Sequence, residues 1–134
     1  MNQIFKNIDI EEFENLFSTE EKCLMFLDNE KWKNGFTCRK CGHTNYCEGK
    51  MPYSRRCTRC KYQESATAHT IFHRCKIPIQ EAFKITYLVC SMPQISSHEL
   101  SRRNDIRQMT CWNLKKKITG CLAKNGELSI IDNK

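Results

Sequence analysis

Two Cys-x-x-Cys pairs, Cys38-Arg39-Lys40-Cys41 and Cys57-Thr58-Arg59-Cys60, stand fifteen residues apart. Each pair presents two thiolates from one tight knuckle, and two knuckles complete a tetrahedral four-thiolate shell for Zn2+. Such a shell leaves no coordination position open, so the spacing predicts one structural zinc ion held by Cys38, Cys41, Cys57 and Cys60. Knuckles joined by three short antiparallel strands make a zinc ribbon. A ribbon of this size lacks the apolar area to fold alone, and the metal supplies much of its folding free energy.

At 134 residues the chain is one domain, or two small ones sharing a core. Ten cysteines would suit a disulfide scaffold in a secreted protein. The opening Met1-Asn2-Gln3-Ile4-Phe5-Lys6, however, lacks the basic region and apolar run of a signal peptide. No apolar stretch approaches the length of a membrane span. The expectation is a reducing compartment, cytoplasmic and nucleoid-associated or else nuclear, with the six cysteines outside the metal set as buried thiols. Cys23, Cys90, Cys111 and Cys121 fall on apolar helix stripes and are expected to be buried. A mean hydropathy of −0.63 is that of a soluble protein.

Charge is distributed unevenly. Residues 1–30 hold eight acids against Lys6 and Lys22, a balance of −6, whereas the remainder holds twenty Lys/Arg against seven acids, a balance of +13. A surface of that sign suits a polyanion, with double-stranded DNA the first candidate.

Periodicity divides the chain into four parts. Residues 1–35 read as two acidic helices. The first, at residues 9–17, carries Ile10, Phe13, Leu16 and Phe17 on one face. The second opens on a capping box, Ser18 at the cap and Glu21 three residues on. These helices are expected to cap the ribbon. Residues 36–76 form the ribbon, with Gly42 where the first knuckle turns and β-prone residues leading out from Gln63 to Phe72. Arg39, Lys40, Lys50, Arg55, Arg56, Arg59 and Lys61 crowd the knuckles as a phosphate-contacting surface. Cys57-x2-Cys60-x8-His69-x3-His73 superficially resembles a finger with two cysteine and two histidine ligands, but the gap of eight falls short of the roughly twelve such a finger needs. His43 and Cys47 are further spare donors near the site.

Residues 77–125 are helical, followed by a tail at 126–134. Pro78 opens a helix that Pro93 stops. A shorter helix follows, capped by Ser96 or Ser97, and Asn104-Asp105-Ile106 turns the chain. In the last helix Cys111, Leu114, Ile118 and Cys121/Leu122 form one apolar stripe, opposite Gln108, Asn113, Lys116 and Lys117. Helix, short helix, tight turn and basic helix is the outline of a helix-turn-helix. The predicted fold class is therefore α+β: N-terminal helices, a four-cysteine zinc ribbon and a helix-turn-helix-like three-helix unit.

Several ordered motifs then carry a resemblance. FSTEEKC at residues 17–23, WKNGF at 32–36, CRKCG at 38–42, RCTRC at 56–60 and TAHTIFHR at 67–74, followed by IPI at 77–79, resemble the amino-terminal zinc ribbon of Merlin-like insertion-sequence transposases. ELSR at 99–102, Ile106 and TCW at 110–112 continue the likeness where that family has its helix-turn-helix. The resemblance implies binding to transposon ends by a region that a DDE nuclease domain follows. Two departures stand out: His69 replaces a glycine common at that point, and Asn104-Asp105 stands where Leu-Gly is usual. GELSIID at residues 126–132 resembles the lead-in to the strand bearing the family's first catalytic carboxylate, with Asp132 at that place two residues before the end.

The resulting expectation is a non-catalytic, zinc-dependent DNA-binding protein, a regulator of transcription or transposition. Its recognition helix runs over about residues 107–124. Arg107, Gln108, Asn113 and Lys116 are the candidates for groove contacts, and Lys117, Arg102, Arg103, Arg55, Arg56 and Arg59 for phosphates. Met109 and Thr110 are placed for backbone or thymine methyls, and Trp112 is expected to pack between ribbon and helices. Competing readings are a module that docks on transposase or the transcription machinery, and a fragment of a longer DDE transposase.

Overall fold

Asp9 begins the first helix by accepting a hydrogen bond from the Glu12 N–H at 2.8 Å. In the computed structural model, which describes residues 9–73 and 75–125, this helix is α1 (Ile10–Leu16). The tail at 126–134, Asp132 included, lies outside the described residues, as do the opening residues 1–8 and Arg74. Seven residues give α1 only one buried stripe, Phe13 with Phe17 just beyond the helix end; Ile10 and Leu16, expected on the same face, are 39% and 47% exposed.

The second helix, α2 (Glu20–Lys31), is capped by Thr19 rather than Ser18: the Thr19 hydroxyl accepts from the Lys22 N–H at 3.2 Å. That register puts Lys22, not a glutamate, three residues past the cap, so no capping box forms. Ser18 instead meets the Lys22 amine at 3.1 Å. Cys23, Leu27 and Lys31, spaced by four, make the buried stripe of α2.

Three strands follow in the order β1 (Tyr46–Glu48), β2 (Arg55–Cys57) and β3 (Gln63–Glu64), all antiparallel. Tyr46 pairs with Cys57, Glu48 with Arg55, and Arg55 in turn with Glu64. The sheet stops at Glu64, where the β-prone composition predicted further extension. Lys31 draws in the Ser65 and Ala68 carbonyls at 2.7 and 2.6 Å, and the Thr70 hydroxyl donates to the Thr67 carbonyl at 2.6 Å. These bonds curl the backbone into turns that no ladder can continue.

The core is helical. Pro78 leads into α3 (Ile79–Ser91), which buries Ile79, Ala82, Phe83 and every residue from 85 to 90. A helix buried around most of its circumference is a central one. Phe13 stacks on Tyr87 at 4.6 Å between ring centroids, Phe17 meets Phe83 edge-on at 5.0 Å, and Phe72 stacks on Phe83 at 5.0 Å. The phenylalanines of α1 therefore seat on α3 instead of capping the ribbon. It is α2 that bridges the two parts, packing on α3 and reaching the ribbon through its last turn.

Ser96 caps α4 (Ser97–Asn104), accepting from the Glu99 N–H at 3.1 Å. Asp105 then adopts a left-handed φ of +53° as the C-cap, and α5 (Gln108–Asn125) starts three residues later. The turn thus lies where the sequence placed it, and Asp takes the conformation that glycine takes most readily. In α5, Cys111, Leu114 and Ile118 are buried, and Cys121 and Leu122 half-buried. Helices α3, α4 and α5 all pack on one another.

Candidate metal centre and basic helix face

The two knuckles are built alike. In the first, the Cys38 N–H donates to the His43 carbonyl at 2.8 Å and the Gly42 N–H returns to the Cys38 carbonyl at 2.9 Å. In the second, the Cys57 N–H donates to the Tyr62 carbonyl at 2.8 Å and the Lys61 N–H to the Cys57 carbonyl at 3.1 Å. Gly42 and Lys61 hold equivalent places with φ of +79° and +67°. The sequence signals the first turn through its glycine and conceals the second behind a lysine.

Backbone N–H groups point at the leading sulfur of each knuckle. Lys40 N–H approaches Cys38 Sγ at 3.4 Å, and the N–H groups of Arg59 and Cys60 each approach Cys57 Sγ at 3.4 Å. Burial works to raise the Cys57 thiol, but these N–H donors and the neighbouring thiols outweigh it and lower it to about 6. Cys38 is lowered by the same balance, with burial opposing N–H donation from Cys41 and Lys40. At Cys41 the His43 N–H acts to lower the pKa, yet burial and the three adjacent thiols raise it to about 11. Four sulfurs this close cannot all ionise without a cation among them.

The four Sγ atoms lie within 4.8 Å of one another, with Cys38–Cys60 and Cys41–Cys57 both at 3.5 Å. A tetrahedron of Zn–S bonds of about 2.3 Å has edges of about 3.8 Å, inside that spread. Cys38 and Cys57 are buried, Cys41 and Cys60 half-buried. The donor set fits one structural Zn2+. Neither His69 nor His73 joins this quartet: their rings stack at 5.5 Å, and the His69 N–H donates to His73 Nδ1 at 3.2 Å. Cys47, expected among the buried spare thiols, is exposed, because all three residues of the short strand β1 are exposed.

The cations near the knuckles fall into two groups. Arg55 lies 4.1 Å from the Tyr46 ring centre and 4.6 Å from that of Trp32, with Asp28 at 3.6 Å. Arg39 is held by Glu64 at 3.0 Å. Arg56 and Arg59 are exposed, together with Lys40, Lys50 and Lys61.

Along α5 the structure brings Gln108, Asn113, Lys116 and Lys117 out on the exposed side, with Arg107 exposed just before the helix. Gln108 donates its amide to the Ser97 hydroxyl at 3.0 Å, fastening α5 to α4. Trp112, expected to pack inward, is 45% exposed because its helical position lies opposite the Cys111–Leu114–Ile118 stripe. Arg102 and Arg103 both pair with Glu99, Arg103 at 2.8 Å. Lys115 turns inward to the Ile95 carbonyl at 2.6 Å.

A groove of about 490 Å3 runs between α5 and the segment before α3, lined by Lys76, Arg107, Lys116 and Lys117 with Thr110 and Asn113, and by no carboxylate. Lys76 was not among the sequence candidates. It precedes α3 by two residues of loop, where no periodicity marks a surface position. Among the described residues no helix is long and apolar enough to cross a membrane.

No curated protein and no solved structure matches the chain. The likeness seen at residues 99–112 lies beyond the span that a known family matches, whereas α2, both knuckles and the strands up to Gln63 lie within it. With four cysteines gathered as a zinc ribbon requires, residues 18–63 match the transposase zinc-ribbon domain.

Proposed function

We propose that this chain is a zinc-dependent, non-catalytic DNA-binding unit related to the amino-terminal regions of transposases, acting in the regulation of transposition or transcription. In this reading α4, the Asp105 turn and α5 serve as a helix-turn-helix, with α5 entering the major groove. The observation that carries the proposal is the acid-free groove beside α5, where Lys76, Arg107, Lys116 and Lys117 converge. Such a surface suits the phosphate backbone, and Asn113 stands beside it with an amide suited to adenine edges. Zinc acts by holding the ribbon folded, since a shell of four cysteines offers no open position for chemistry. Two acids of the basic part, Glu64 and Glu99, are each engaged by two cations, Lys31 with Arg39 and Arg102 with Arg103, an arrangement that suits ion pairing and not a metal site for cutting.

Duplex binding measured across a salt series tests this. The affinity should fall steeply with salt, and Lys116→Ala with Lys117→Ala should flatten the slope by about 2, one unit for each phosphate no longer neutralised. Absence of duplex binding at low salt would defeat the proposal. Nicking of supercoiled DNA by the pure protein with Mg2+ or Mn2+ would defeat its non-catalytic part.

A further inference from the structure

Phosphate binding does not account for two apolar side chains of α5, Met109 at the edge of the cationic groove and Trp112 one turn on. Met109 is 65% exposed and Trp112 45% exposed, three residues apart on one side of the helix. They are not overflow from the core, because Cys111, Leu114 and Ile118 bury the opposite side. Lys116 sits over the Trp112 ring at 5.0 Å from its centre, which holds the indole against the helix and keeps a cation beside it. No acid occurs between Asp105 and Glu127 in the sequence. A partner for this face must offer negative charge and, within a few ångströms, something apolar.

The major groove of duplex DNA presents one apolar group on its floor, the C5 methyl of thymine. Resting on the DNA-binding reading above, we infer that Met109 and Trp112 determine sequence preference by contacting thymine methyl groups. Three residues of helix rise about 4.5 Å, close to the roughly 3.4 Å between stacked base pairs, so the two side chains reach neighbouring pairs. Asn113, adjoining Trp112, then faces the polar edge of the same stretch. The preferred site is therefore one with consecutive thymines on the strand or strands beneath α5.

The experiment uses the full chain with zinc bound. Duplexes are selected from a randomised pool, and a selected duplex is resynthesised with deoxyuridine at single thymine positions, a change that removes only the methyl group. At one or two positions the affinity should fall about fourfold, the equivalent of one methyl group left unburied. Met109→Ala and Trp112→Ala, both at exposed positions, should abolish that discrimination while the salt slope stays as in the wild type. Sequence-specific binding with equal affinity for thymine and uracil duplexes would overturn the inference and leave DNA binding standing. Enrichment of single strands over duplex, or no binding at low salt, would overturn both.

Discussion

Lys31 and Glu64 form an ion pair at 2.7 Å in which each side chain is 3% exposed. The Lys31 amine also donates to the Ser65 and Ala68 carbonyls, and the second Glu64 oxygen receives Arg39. One buried pair thus joins the last turn of α2, the last strand of the ribbon, the linker and the first knuckle. Burial pulls the Lys31 amine below its ordinary value, and the Glu64 hydrogen bond works against that fall.

Removing one member of such a pair strands the other. Glu64→Gln should therefore destabilise the zinc-loaded protein by about 3 kcal/mol in urea unfolding. Arg39→Ala, whose side chain is 46% exposed, should cost less than about 1 kcal/mol. Equal effects from the two substitutions would show that the Lys31–Glu64 link is not the principal one.

Elemental analysis should return one zinc per chain, and Cys57→Ser should lose it. Metal removal by a chelator should disorder residues 38–64 first, since metal binding and ribbon folding are one equilibrium. The buried aromatic stack of Phe72 and Phe83 lies outside the ribbon strands. Hydrogen exchange should accordingly rise in the strands before it rises in α3. A Cys57→Ser variant that retains its zinc and its melting temperature would sink the ligand assignment.

His69 adopts a φ of +60°. A side chain there carries a left-handed strain of about 1–2 kcal/mol that glycine avoids. His69→Gly should be neutral or stabilising by about 0.5 kcal/mol, after the entropy glycine adds to the unfolded chain. His69→Val should destabilise by more than about 1 kcal/mol. Thermal melts of both variants settle the sign, and a costly glycine would place the stabilisation in the His69–His73 stack.

Glu99 restrains two of the arginines assigned to phosphates. Arg103 foremost, with Arg102, holds the Glu99 carboxyl below its ordinary value despite burial acting the other way. The carboxylate is thus ionised throughout the neutral range, and any stability it lends is lost only as the pH falls through its lowered folded value. Glu99→Gln should free both arginines, tighten duplex binding at low salt and steepen the salt slope by up to about 2. An unchanged slope would remove Arg102 and Arg103 from the interface.

The thiols should react in a definite order when the zinc-loaded protein is labelled. Exposed Cys47 should go first. Cys23 should resist, because burial and then the Glu20 charge push its thiol to about 12. Cys111 should resist for the first of those reasons. Cys121, half-buried at the end of the apolar stripe, should fall between them. Mass spectrometry of peptides over a time course gives the order, and early labelling of Cys23 would contradict its place in the core.

The cysteine spacing alone determined the metal centre. Cys-x-x-Cys is a local motif, and two of them have few ways to surround one ion. The helix register of α3 to α5 was equally legible, since apolar periodicity and the Ser96 cap act within one element. What lay beyond local reading was decided by contacts between elements far apart in sequence. Phe13 and Phe17, in and just after α1, turned to α3 because Tyr87 and Phe83 offered aromatic faces there. The strand leaving the ribbon ended at Glu64 because an amine from α2 took the carbonyls that would have extended it. Trp112 stayed outside because the stripe at Cys111, Leu114 and Ile118 already filled the space against α3 and α4. A sequence states which residues are apolar; only the packed fold states which of them there is room to bury.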